Sequence, residues 1–443
     1  MKIVLQILCF FSVIIVSGQT NDSITQPKIW SLQDCINYAV ENNLTVKDAG
    51  LNKDISEVDY DKAKSLRLPN LFGSASQNFS NGNTIDPITS DYVTDQIYSS
   101  NLGVSSSMTV YQGSQLTNKI KQNKLIVDQN TFLIEAAKND ITVGILENYL
   151  QILYAEEDIK IAENNLIASE KEVERAKARL DAGTIALNGY TEAQSQAATN
   201  KYNVITAKNN YQQYIIALKQ LLELGPTDTI EIKPIEGDMD IVNLEKDKMM
   251  IYDKALEVLP EMAASDIDIS INEKELDIAK GGYLPTLSLI GSVGSGYTSI
   301  SDVNFTEQLN INFNQKVGLN LSIPIFNRNI TKSAVKTAKI NIERSEIQKQ
   351  FTEKEIYRKV ETAYQNGLSA QEQLFAAEAS QEAALESYNL ATTKYELGAL
   401  STTDLIINQN TYTAAQQDYI KAKYLNILYH QLLQFYQGND IKL

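Results

Sequence analysis

Apolar and small residues recur along most of this chain at three- and four-residue spacing, the period of one helix face. Ile159, Ala162, Leu166, Ser169, Val173, Ala176 and Leu180 keep a strict 3-4-3-4 rhythm, and so do Leu374, Ala377, Gln381, Ala384, Tyr388, Ala391 and Tyr395. Sustained heptads mean coiled-coil packing, and the small residue at every second seam position lets neighbouring helices approach closely. The segment 112–182 contains no proline. The pattern predicts long helices over about 112–182 and 329–397, each about 100 Å at ~1.5 Å per residue. Further helices are predicted over 31–66, 188–224, 248–281 and 402–436. Ser31 is placed to cap the first, and Leu68-Pro69 ends it, since a residue before proline avoids the α region.

Two segments change period. In 317–326 every odd position is aliphatic, and in 284–326 as a whole Leu287, Leu289 and Val293 alternate with Thr286, Ser288 and Ser292. In 70–111, Leu102, Val104, Met108 and Val110 alternate with Gly103, Ser105, Ser107 and Thr109. Ten-residue segments, apolar on one side and polar on the other, mark strands of a transmembrane barrel; a soluble hairpin packed on the coiled coil is the plainer reading. Each half supplies two such strands. Four strands cannot close a barrel, because the smallest have about eight, so the edges must be completed by other copies of the chain. Two copies or three both remain open at this point.

The two halves are one unit repeated. At an offset of 216, Ala39 matches Ala255, Glu57 matches Glu273, Ala63-Lys64 matches Ala279-Lys280 and Leu68-Pro69 matches Leu284-Pro285. At 215, Lys121 matches Lys336, Tyr149 matches Tyr364, Gly183 matches Gly398 and Gln194 matches Gln409. Units this long are not solenoid repeats, whose periods run ~20–50 residues. The organisation reads as a leader at 1–18, a first repeat at 19–225, a connector at 226–247 with two prolines and an acidic run, and a second repeat at 248–443.

Composition narrows the chemistry. The leader MKIVLQILCFFSVIIVSG has a basic start, an apolar core and a small-residue end, which reads as a secretory signal; an anchoring helix is the alternative, but the stretch is short for a span. Of two Cys, Cys9 falls in this leader and only Cys35 remains, so no internal disulfide forms. The net charge of −16 argues against a nucleic-acid partner. A single His, His430, excludes His-pair metal sites. There is no P-loop, nucleophile elbow or His-Glu-x-x-His. Catalytic residues, metal ligands and cofactors are therefore not expected.

The order and duplication of these features resemble the TolC family of outer-membrane efflux proteins. The resemblance is carried by the Ala-Lys pair and Leu-Pro before each strand segment, and by two Gly-centred helix links, 180–185 (LDAGTI) and 395–400 (YELGAL). It covers essentially the whole mature chain. It implies an α+β fold in which three protomers share one twelve-stranded transmembrane β-barrel and a coiled-coil tunnel through the periplasm. It also implies a passive duct in the outer membrane of a Gram-negative-type cell, working with a periplasmic adaptor and an inner-membrane pump, on small molecules or proteins. Carried onto this sequence, the adaptor meets Gly183, Thr184, Ile185, Ala186, Gly398, Ala399, Leu400 and Ser401. A glycine at each link also has a purely structural reading, as a helix C-cap. Family members carry acidic residues just past the second link that ring the pore entrance. Asp404 stands there, with Ile407 where a second acid is common and Gly189 as its first-half counterpart. Asp404 as a helix N-terminal residue favoured by the dipole is the alternative. An exported coiled-coil scaffold or adhesion protein without a channel is the rival function.

Overall fold

The structure is a computed structural model and describes residues 29–85, 89–235 and 247–441. The leader, and residues 236–246 of the connector, lie outside the described residues. In chain order the elements are β1 (Ile29–Trp30), α1 (Leu32–Asn42), α2 (Leu44–Ser65), β2 (Phe72–Ile85), β3 (Tyr92–Gln112), α3 (Gln115–Asp181) and α4 (Leu187–Leu221). They continue with β4 (Glu231–Ile232), α5 (Lys248–Val258), α6 (Pro260–Gly281), β5 (Thr286–Thr298), α7 (Phe305–Ile311), β6 (Asn314–Ser322), α8 (Ile330–Glu396) and α9 (Thr402–Tyr436).

The repeat is visible in helix lengths. α1 and α5 have 11 residues each, α2 and α6 have 22, α3 and α8 have 67, and α4 and α9 have 35. In the first repeat α2 and α4 pack against α3, and in the second α6 and α9 pack against α8. The seams between long and short helices bury the small heptad positions Ala162, Ser169, Ala176, Ala384 and Ala391. Where the repeats meet at mid-length, a core forms from Trp30, Cys35, Ile145, Leu218, Ile251, Ile356 and Leu433. β1 and β4 pair in parallel at its rim. Tyr149 donates its hydroxyl to Lys233 O at 2.7 Å there, so its buried polar end has a partner.

Two predicted helices are each broken in two. The 31–66 helix stops at Asn43, whose extended backbone ends α1 while its side chain accepts from Thr45 N and caps α2. The 248–281 helix stops at Leu259 because Pro260 follows, and Pro260 sits at the first position of α6. The 226–247 segment supplies β4, and the second strand pair is interrupted by α7 instead of running as a plain hairpin. β6 ends at Ser322, before Pro324, short of the predicted 326.

The four long strands form one antiparallel sheet in the order β2-β3-β5-β6. Register assigns its faces. Leu289 pairs with Met108 and Leu319, and Val293 with Val104, so these share one face. Ser288 pairs with Thr109 and Asn320, and Ser292 with Ser105 and Lys316, on the other. The apolar face is open, with Val317 84% and Leu319 70% exposed. β2 and β6 each have a single neighbour, so among the described residues both sheet edges are unpaired within the chain.

Each long helix leaves the sheet through two consecutive left-handed residues. These are Gly113 and Ser114 (φ 55° and 60°) and, in the second repeat, Arg328 and Asn329 (φ 56° and 63°). Glycine is required at 113 for a second reason. A Cβ there would lie 2.3 Å from the carbonyl oxygen of Gly281, and one at Gly281 would lie 2.5 Å from the carbonyl oxygen of Gly113.

Candidate functional site at the helix tips

Both helix links close in the same way. Gly183 (φ 70°) donates to Leu180 O at 2.9 Å, and Thr184 N donates to Arg179 O at 2.9 Å. Gly398 (φ 76°) donates to Tyr395 O at 3.0 Å, and Ala399 N donates to Lys394 O at 2.9 Å. This pair of bonds with a left-handed glycine satisfies the last carbonyls of the helix and turns the chain back. No atom lies within 4 Å of a Cβ at either glycine, so conformation and not space selects glycine here.

The structure brings the two links side by side. Thr184, Ile185, Ala186, Gly398, Leu400 and Ser401 line one open depression of about 540 Å³. A Cβ at Gly189 would lie 3.5 Å from Thr402 Oγ1, an ordinary contact, so the starts of α4 and α9 lie close together there.

Asp404 and Ile407 face elsewhere. They are exposed, on the side of α9 opposite the buried Thr402, Leu405 and Gln409. Asp404 also completes the helix start: its backbone N–H donates to Ser401 Oγ at 3.1 Å, and Ser401 Oγ donates to its carboxylate at 2.7 Å. The capping reading and an outward carboxylate are thus compatible in one residue.

Sequence reasoning missed a cluster that ties the repeats together just above the links. Tyr395, almost fully buried, donates its hydroxyl to Glu172 Oε1 and lies 3.4 Å from Thr402 Oγ1. Arg179 stacks 4.4 Å from the Tyr395 ring and donates to Tyr395 O at 2.9 Å, closing the end of α8 with a cation from α3. Arg175 reaches Glu396 at 3.4 Å and Glu172 at 3.9 Å. Thr403 Oγ1 donates to Glu192 at 2.6 Å. Burial pushes the Glu172 carboxyl above the ordinary carboxylate range, against the pull of the Tyr395 hydroxyl and Arg175. The sequence signal was a tyrosine at the last large seam position of α8, where α3 has Leu180; a buried hydroxyl needs a partner.

Among the described residues no group of His, Cys, Asp or Glu could hold a metal ion, and no helix is long and apolar enough to cross a membrane.

A family model for "Outer membrane efflux protein" matches residues 35–223 and 251–432. The outer membrane protein TolC of Escherichia coli is 22% identical over 407 residues, covering 88% of this chain and 78% of that protein. The alkaline protease secretion protein AprF of Pseudomonas aeruginosa is 20% identical over 342 residues, covering 77% and 69%. The solved structure of the outer membrane protein VceC from Vibrio cholerae superposes with a TM-score of 0.78 at 14% identity, covering 93% of this chain and 97% of that one.

Proposed function

The chain belongs to the outer membrane efflux protein family, and from that membership we propose that three copies form one continuous export duct. It is an outer-membrane efflux channel. In the proposed assembly twelve strands close a barrel, and the long helices continue it as a tunnel of about 100 Å into the periplasm.

The observation that carries the assembly is the sheet. Its apolar face is open and both its edges lack partners, an arrangement that water does not tolerate and that a closed barrel in lipid resolves. The helices support the same reading. α8 exposes Ile340, Ile347 and Phe351 along one stripe, and α2 exposes Leu51, Ile55 and Val58 along another. Stripes of this kind mark faces that a neighbouring protomer covers.

The duct is passive: the tips carry structural hydrogen bonds and ion pairs, and the energy comes from an inner-membrane pump. A periplasmic adaptor docks on the links, with Thr184, Ile185, Ala186, Ala399, Leu400 and Ser401 as the contact residues and Gly183 and Gly398 shaping the turns. Asp404, exposed on α9 with Ile407 one turn further on, forms the ring at the entrance. Three carboxylates around a narrow opening favour cations. The cluster around Tyr395 and Glu172 acts as a latch that holds the two repeats together in the shut tip. Cargo is small organic compounds or proteins. Relatives named for alkaline protease secretion and for pyoverdine export fit those two classes. The chain has no Met- or His-rich tract that would suit soft metals.

Electron microscopy of protein extracted from outer membranes in detergent tests the assembly. Threefold hollow particles with a stalk near 100 Å and a detergent-wrapped end are expected. Solid rods, or protein soluble in the periplasm, would replace the duct by an exported scaffold.

A further inference from the structure

We infer that Lys316 makes the barrel lumen an anion-favouring passage, so that the outer end of the duct selects for organic anions such as carboxylates and phosphates. The inference rests on the barrel reading above. The polar face of the sheet is built mainly from Ser, Thr, Asn and Gly, with Phe72, Ile97 and Ile290 among them, and in a membrane barrel that face lines the lumen. Lys316 stands on it: it pairs with Ser292, which pairs with Ser105, both small and uncharged. Lys316 and Asp95 are the charged residues of the four strands.

Among the described residues no carboxylate lies against Lys316. The one acidic residue of the strands, Asp95, pairs in register with Gly82, whereas the level of Lys316 on the same strand is Ser105. Ten residues along a strand is about 33 Å. If β6 of one copy meets β2 of the next, β2 contributes no acidic residue to that junction either.

Size makes the charge effective. Twelve strands ~4.8 Å apart and tilted by ~40° close a cylinder about 24 Å across at the backbone. Three inward ammonium groups then leave little of the cross-section more than a Debye length of ~8 Å from a positive charge. The acidic tip and this basic ring give the duct opposite charges at its two ends.

The test uses cysteine reporters in outer membranes, since the native Cys35 is fully buried. Ser105→Cys reports on the polar face and Leu319→Cys on the apolar face. Each is treated with membrane-impermeant anionic and cationic methanethiosulfonates. Ser105→Cys is expected to react with both, faster with the anion, and Leu319→Cys with neither. Adding Lys316→Gln should lower the anionic-to-cationic rate ratio at position 105 about fivefold or more, and Lys316→Arg should preserve it. If Leu319→Cys reacts as readily as Ser105→Cys, the barrel reading itself fails. If only Ser105→Cys reacts and Lys316→Gln leaves the ratio unchanged, the barrel stands and the role of Lys316 is overturned.

Discussion

Replacing Tyr395 by Phe removes one hydroxyl from the tip and almost nothing else. The ring stays, and with it the stacking of Arg179 at 4.4 Å and the seam packing. What is lost is the bond to the Glu172 carboxylate, a hydrogen bond to a charged group worth about 1.5–3 kcal/mol. Glu172 does not recover it elsewhere. Its other cation, Arg175, is 3.9 Å away on a side chain that is 52% exposed, a geometry worth about 0–1 kcal/mol. The link between the repeats therefore weakens by about 1.5–3 kcal/mol, which is roughly 10- to 150-fold in the ratio of shut to open tip per protomer. Single channels in planar bilayers read this as open probability. Tyr395→Phe should open markedly more often. Tyr388→Phe, on a ring stacked on Tyr412 within the second repeat, should behave as the parent. If Tyr395→Phe channels open no more often than the parent, the latch is merely structural.

Acidity should act on the same latch. Because burial raises the Glu172 pKa, the latched tip holds its proton better than an opened, solvated one. The latch is then strongest below the ordinary carboxylate range and weakens as pH rises through the raised value. Open probability should rise with pH across that window, and Glu172→Gln should flatten the profile. Asp404→Arg should shift the reversal potential in a salt gradient towards anions; an unmoved potential removes Asp404 from the entrance. Gly281→Ala should destabilise the protein by about 3 kcal/mol, because its Cβ would lie 2.5 Å from the Gly113 carbonyl oxygen. Gly50→Ala, in open space on α2, should instead stabilise by about 0.5–1 kcal/mol. Thermal melts of the two variants check both signs.

What the sequence disclosed was whatever repeats along the chain. Heptads expose long helices because every turn restates the same face, and the alternation around Val317 and Leu319 exposes a two-faced strand for the same reason. The two helix breaks were harder. Leu259-Pro260 carried the same signal as Leu68-Pro69 and was readable, whereas Asn43 breaks its helix through a side-chain cap and a bond from its amide to Leu221 O at 3.0 Å, a partner far away in sequence. α7 was hidden because its anchor is tertiary: Gln308 bonds both the N–H and the C=O of Thr298, at 2.9 and 3.0 Å, on a part of β5 that β6 does not reach. The Tyr395–Glu172 cluster was hidden by the repeat itself. Aligning the halves pairs Tyr395 with Leu180, its equivalent, while its physical neighbours are Glu172 and Arg179. Internal symmetry reveals which residues correspond, and contact depends on how the two units pack.

The matched helix lengths act as a ruler. A heptad inserted into α3 alone would push one tip about 10 Å beyond the other. Arg179 would then leave the carbonyls of Tyr395 and Glu396, and the rim offered to a docking partner would no longer be level. Length changes in this protein are therefore tolerable only in pairs, one in each half at corresponding positions. The two arms have equal helix lengths, 67 and 35 residues in each half, and a level rim requires that equality.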